Sequence, residues 1–78
     1  MSTAIAPTLG KVIRLARVDA GYTQAQLAKI IGSKQSTVSM WESGRQRPRL
    51  GQIGPLARAL NIDSSALLAA AEGESGEE

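Results

Sequence analysis

Cysteine and histidine are both absent from this chain. Their absence excludes disulfide staples, thiolate metal sites, cysteine nucleophiles and histidine general bases together. Large aromatics are scarce: Trp41 and Tyr22 stand alone, too few to form a platform on which single-stranded bases stack. No apolar run approaches the roughly 20 residues of a transmembrane helix. The start shows no basic-then-apolar leader pattern, so a cytoplasmic location is expected. There is also no glycine-rich phosphate cradle and no cluster of metal-ligand residues. An enzyme is therefore not expected, nor a cofactor or a bound metal.

What remains is a chain of 78 residues with 42% hydrophobic and 21% charged residues, an ordinary balance for a folded globular domain. At this length there is one domain, which buries only about 60% of its unfolded surface and so depends on good packing. The net charge of +2 hides a split. All nine Lys and Arg lie in residues 1–71, opposed only by Asp19, Glu42 and Asp63, whereas residues 72–78 hold four Glu. A basic body with an acidic tail points towards nucleic acid, against the plainer reading of a solvated charged surface.

The spacing predicts an all-α fold, since no stretch alternates with period two over the length of a strand. Residues 1–7 read as a flexible lead-in, 8–71 as the domain, and 72–78 as an acidic, disordered tail. In the first helix Leu9, Val12, Ile13, Ala16 and Ala20 form one stripe, with Thr8 as N-cap and Gly21 as the stop. Thr23 caps a second helix with Leu27, Ala28 and Ile31 inward, ended by Gly32. A third runs from about Lys34 to Glu42 and stops at Ser43-Gly44. A fourth carries Ile53, Leu56, Ala57 and Leu60 and ends near Asn61, and a fifth holds Leu67 and Leu68. Pro55 would cost about 3 kcal/mol inside a helix, so the fourth is expected to begin late, near Gly51 or Gln52, or to kink.

Two short helices joined at Ile31-Gly32-Ser33 carry the functional signal. Ala28 is small where the helices must approach closely, Gly32 permits a tight turn, and Val38 and Trp41 supply apolar contacts. That is the recipe of a helix-turn-helix, although a plain helical hairpin would share it. The run Gly21-Tyr22-Thr23-Gln24-Ala25-Gln26-Leu27-Ala28, then Gly32, then Gln35 to Gly44, then Arg47-Pro48, resembles the lambda-repressor-like (Xre/Cro-type) DNA-binding domain. The similarity extends through Ile53 and Leu56 to Leu60, covering roughly residues 9–70. The resemblance implies a compact five-helix domain, duplex DNA as partner, operator binding as a homodimer, and transcriptional regulation, often repression. Two departures stand out. Ser33 and Lys34 occupy positions where the family usually has a branched apolar residue and a Ser or Thr cap, so either Ser33 caps the third helix or the cap is weak. Gly51, Gly54 and Pro55 replace the usual helix formers of the fourth helix.

Read by its own 100° periodicity, the third helix turns Val38, Trp41 and Glu42 one way and Ser36, Ser39, Met40 and Ser43 the other, with Gln35 and Thr37 at the margins. The outward face has short hydroxyls, an amide and a thioether, but no acid. Such groups suit a base-lined groove: Gln pairs with adenine, Ser donates or accepts, and Met covers a thymine methyl. Gln35, Ser36, Ser39 and Met40 are the candidate base contacts. Lys34, Thr37, Ser43 and the loop arginines Arg45, Arg47 and Arg49 are candidate phosphate or supporting contacts. The resemblance places Gln24 in or beside the groove, bracing Gln35. It also pairs Arg17 with Glu42, as two charges aimed near a core require. The rival function is an antitoxin or adaptor whose main partner is another protein, with DNA binding secondary.

Overall fold

A computed structural model describes residues 8–75; the expected lead-in 1–7 lies outside the described residues, as does the end of the acidic tail. Five helices make up the described chain: α1 (Leu9–Asp19), α2 (Gln24–Ile31), α3 (Gln35–Ser43), α4 (Leu50–Leu60) and α5 (Ser64–Ser75). The described chain is the all-α, five-helix arrangement that the sequence implied.

Local chemistry sets the boundaries. Thr8 caps α1 by accepting the Lys11 N–H at 3.2 Å. Thr23 and Gln26 form a reciprocal box at the start of α2, each side chain accepting the other's backbone N–H at 3.1 and 2.9 Å. Four helices then end in one way. Gly21, Gly32, Gly44 and Asn61 take positive φ, and the N–H of the next residue reaches back five residues. Ser33 N to Ala28 O at 2.8 Å is the example that matters most, because it turns the chain sharply from α2 into α3. A side chain at Gly32 would strain that turn (φ 71°).

The core is Leu9 and Ile13 from α1, Leu27 and Ala28 from α2, Val38 and Trp41 from α3, Ile53, Leu56, Ala57 and Leu60 from α4, and Leu67 from α5. No described polar residue is buried as a whole among them. Helix α3 packs on α1 and α2, and α5 closes the far side against α4 and α1. The apolar stripe of α1 stops short of expectation: Ala20 is the exposed C-cap rather than a packed residue.

Two expectations need correction. Helix α4 begins at Leu50, one residue before the expected Gly51, and carries Pro55 well inside it. The residue before the proline is Gly54, which has no Cβ to meet the ring, and Gly51, whose carbonyl loses its N–H partner, is exposed to water together with Pro55. Helix α5 also continues past Ala71 through Ser75, so the segment expected as a tail from Glu72 begins inside a helix. Ala69-Ala70-Ala71 are the strongest helix formers available and carry it onward.

Candidate nucleic-acid interface

The third helix owes its orientation to a polar cluster at its C-terminal end. Arg17 on α1 grips Glu42 on α3 with two N–H donors, Nε to Oε2 at 2.6 Å and Nη2 to Oε1 at 3.1 Å. Its remaining Nη1 donates to the Tyr22 carbonyl at 2.7 Å, tying down the α1–α2 connection as well. The side chains are 12% and 5% exposed, so the pair is largely withdrawn from water. Its hydrogen bonds to Glu42 raise the Arg17 pKa above the ordinary arginine value, outweighing the opposing effect of burial. The ion pair expected between these residues is thus in place.

Gln24 departs from expectation. Its amide Nε2 donates to Glu42 Oε1 at 3.1 Å rather than lying against Gln35. The reason is chemical: a partly buried carboxylate oxygen accepting one long bond from Arg17 has capacity for a second donor, and the first residue of α2 is within reach. Gln24 is therefore the third member of the cluster that fixes α1, α2 and α3 to one another.

With Val38 and Trp41 buried and Glu42 turned towards Arg17, α3 presents the opposite face outward. Gln35, Ser36, Ser39 and Ser43 are exposed and Met40 is half-buried. Ser43 donates its hydroxyl back to the Met40 carbonyl at 3.2 Å, which leaves its oxygen as an acceptor. The face carries no carboxylate. At its N-terminal end Lys34 occupies the N-cap position with no side-chain hydrogen bond, so the cap is weak and Ser33 does not replace it. Lys34 itself is exposed.

The loop after α3 carries three more cations. Arg45, Arg47 and Arg49 are all exposed. They are not equivalent, because Arg47 Nη2 donates to the Ala71 carbonyl of α5 at 2.8 Å. Arg49 is the N-cap position of α4, and its N–H is met by Gln52 Oε1 at 2.8 Å. Thr37 is half-buried and lies on the flank of α3 that looks towards this loop, not at the centre of the outward face. Trp41, 2% exposed, belongs to the core, and half-buried Tyr22 packs against it, so neither offers a ring for stacking.

A short polar helix displayed on a rigid partner helix, with an acid-free face and cations around it, defines a helix-turn-helix DNA-binding domain. The helix-turn-helix family model matches residues 6–67, and the chain belongs to this lambda-repressor-like family. Its family and fold are those of DNA-binding transcription regulators. The P22 c2 repressor, solved in complex with a synthetic operator, is 28% identical with a TM-score of 0.78, over 83% of this chain and 98% of that one. SinR, a master regulator of biofilm formation solved in complex with DNA, is 26% identical with a TM-score of 0.73, over 78% and 98% of the two chains. Multiprotein-bridging factor 1a of Arabidopsis thaliana is 42% identical over 52 residues, 67% of this chain. That match spans only 37% of the plant protein.

Proposed function

We propose that the protein binds duplex DNA as a homodimer, lays α3 in the major groove of an operator with two-fold symmetry, and represses transcription there. The observation that carries this reading is the outward face of α3: four exposed short polar side chains, no acid, and cations at Lys34, Arg45, Arg47 and Arg49 around it. Gln35, Ser36, Ser39 and Met40 would meet base edges, and the cations would meet phosphates. One such helix reads only a few base pairs, so two copies are needed for a specific site. Residues 8–71 are the binding unit. The second copy would pack near the end of the domain, where Leu68 and Ala69 are exposed beside half-buried Ile62, Ala70 and Ala71.

Selecting sites from random duplex DNA tests the reading. The expected result is a two-fold consensus with half-site centres about 34–36 Å apart along the duplex. An asymmetric site bound by one copy would overturn the dimer, and no enrichment at all would overturn the reading as a whole.

A second reading, a protein-bridging module with secondary DNA binding, is favoured by one observation. Leu15 and Val18 on α1 and Ile30 on α2 are more than half exposed, and Ile30 lines an apolar groove with Tyr22, Gln26 and Lys29. Co-purification of a partner that is lost on changing Ile30 to Lys would support it.

A further inference from the structure

Arg47 ties the loop after α3 to the last turns of α5. Its Nη2 donates to the Ala71 carbonyl at 2.8 Å, and Ala71 directly precedes the seven residues that hold Glu72, Glu74, Glu77 and Glu78. Helix α5 runs on to Ser75, so the first two of these acids belong to its final turn. We propose that the acidic end of α5 is an autoinhibitory element, which masks the arginine loop against other polyanions, the duplex first among them.

The acids stand at the wrong end of their helix. Carboxylates at a C-terminus meet the negative pole of the helix dipole, and the last turn of α5 has no basic residue of its own. Gly73 is a poor helix former as well. The helix continues all the same, and Arg47 supplies a cation from outside, on one of its last carbonyls. In an α-helix each carbonyl points towards the C-terminus, so a guanidinium on the Ala71 oxygen lies alongside the turn that contains Glu72 and Glu74. Glu72 is exposed there. Arg45 and Arg49 stand two residues either side of Arg47, within about 7 Å of it along the chain.

The charge split of the sequence thus becomes a spatial relationship. Residues 1–71 hold nine cations against three acids, and the four remaining acids follow the residue to which Arg47 is bonded. Arg47 is a cation held by groups of its own chain, and a duplex must compete for it. Carboxylates attached to the same chain act at an effective concentration in the millimolar range. Exposed ion pairs are individually weak, so such a mask lowers affinity severalfold and still yields to the dense phosphates of a duplex. Competition with DNA rests on the reading given above; contact between the acidic end and the loop does not.

Two measurements on the full chain test this. Glu72→Gln combined with Glu74→Gln should raise affinity for a 20-base-pair duplex about threefold to tenfold at 50 mM salt, with the gain fading as salt screens it. Asp19→Asn combined with Asp63→Asn removes the same charge from exposed positions elsewhere and should change affinity by no more than about twofold. Equal gains from the two pairs would reduce the effect to net charge and overturn the proposal. So would an undiminished gain from the Glu72 and Glu74 changes in an Arg47→Ala background. The second measurement needs no DNA. In nitrogen–proton correlation spectra of the free protein, the Glu72 and Glu74 changes should move the backbone amide signals of Arg45, Gln46, Arg47 and Arg49, and the Asp19 and Asp63 changes should not. Loop signals that stay in place overturn the mask whatever the duplex does. A duplex bound alike by all variants would sink autoinhibition and leave the DNA reading standing. Loop signals that move in a protein that binds no duplex would do the reverse.

Discussion

Gly10, on the first turn of α1, lies so close to the end of α3 that a Cβ built on it would sit 2.5 Å from the Trp41 carbonyl oxygen and 2.7 Å from that of Glu42. Both atoms are backbone, and Leu9 and Ile13 on either side of Gly10 are buried, so neither helix can step aside cheaply. The close approach is what allows Arg17, two turns further along α1, to reach Glu42.

Gly10→Ala should therefore destabilise the protein although alanine favours a helix by about 1 kcal/mol over glycine. Overpacking of this kind costs roughly 1–3 kcal/mol or more, so the net loss should lower Tm by several degrees. Gly51→Ala provides the contrast, because nothing lies within 4 Å of a Cβ there. It should be neutral or stabilising by up to about 1 kcal/mol. Thermal unfolding of both variants checks the sign, and a Gly10→Ala protein as stable as the parent would refute the clash.

Most helix boundaries were legible in the sequence because their causes are local. Thr8, Thr23, Gly32, Gly44 and Asn61 act within a few residues of themselves. Gly10 was not legible, since the carbonyls that forbid a side chain come from the far end of another helix. The same holds for Gln24. Its amide suits a groove and a carboxylate equally well, and only the placement of Glu42 decides between them. That Ser33, Gln46 and Gln52 share one cavity was not legible either, because it exists only once the turn, the loop and α4 are brought together. Pro55 misled for a different reason: its cost depends on its neighbours, and Gly54 with solvent-exposed Gly51 removes much of it.

The Arg17–Glu42 pair should behave as a unit. Removing one partner of a largely buried pair costs about 3–5 kcal/mol, much of it for the charge left behind. Arg17→Met strands a carboxylate held only by Gln24, and Glu42→Gln strands a guanidinium that keeps the Tyr22 carbonyl and one neutral amide oxygen but no countercharge. The double variant should lose clearly less than the two single losses combined. Urea unfolding of the four proteins measures this, and strictly additive losses would show that the pair contributes nothing of its own.

Affinity for DNA should fall steeply with salt. If Lys34, Arg45, Arg47 and Arg49 of two copies neutralise about eight phosphates, binding should weaken roughly 10³–10⁵-fold between 50 and 200 mM salt. Arg45→Ala should reduce the slope of log affinity against log salt by about 2 for a dimer, with Tm unchanged. Arg47→Ala should also lower Tm, because it gives up the Ala71 carbonyl as well. Titrations by fluorescence anisotropy at four salt concentrations separate the two, and a slope that neither change alters would remove the loop from the interface.

Gln35 gives the sharpest distinction between reading bases and holding the backbone. It is exposed on the first turn of α3, at the end nearest Lys34, and its amide offers a donor and an acceptor in one plane. That pairing matches adenine N6 and N7 in the major groove. Because Gln24 is engaged with Glu42, Gln35 has no brace from α2 in the unbound protein, and its side chain must be ordered on binding. Gln35→Ala should cost about 1–3 kcal/mol on the preferred operator and relax the preference at one symmetric pair of positions. A residue that only touches phosphate would instead weaken every sequence alike. Gln24→Ala should behave differently from both, lowering Tm through the loss of its bond to Glu42 while leaving the order of base preference intact. Affinities of the three proteins for operators carrying each of the four bases at that position decide the matter: an unchanged ranking in Gln35→Ala rules out direct readout, and a changed ranking in Gln24→Ala means that its amide leaves Glu42 for the groove when DNA arrives.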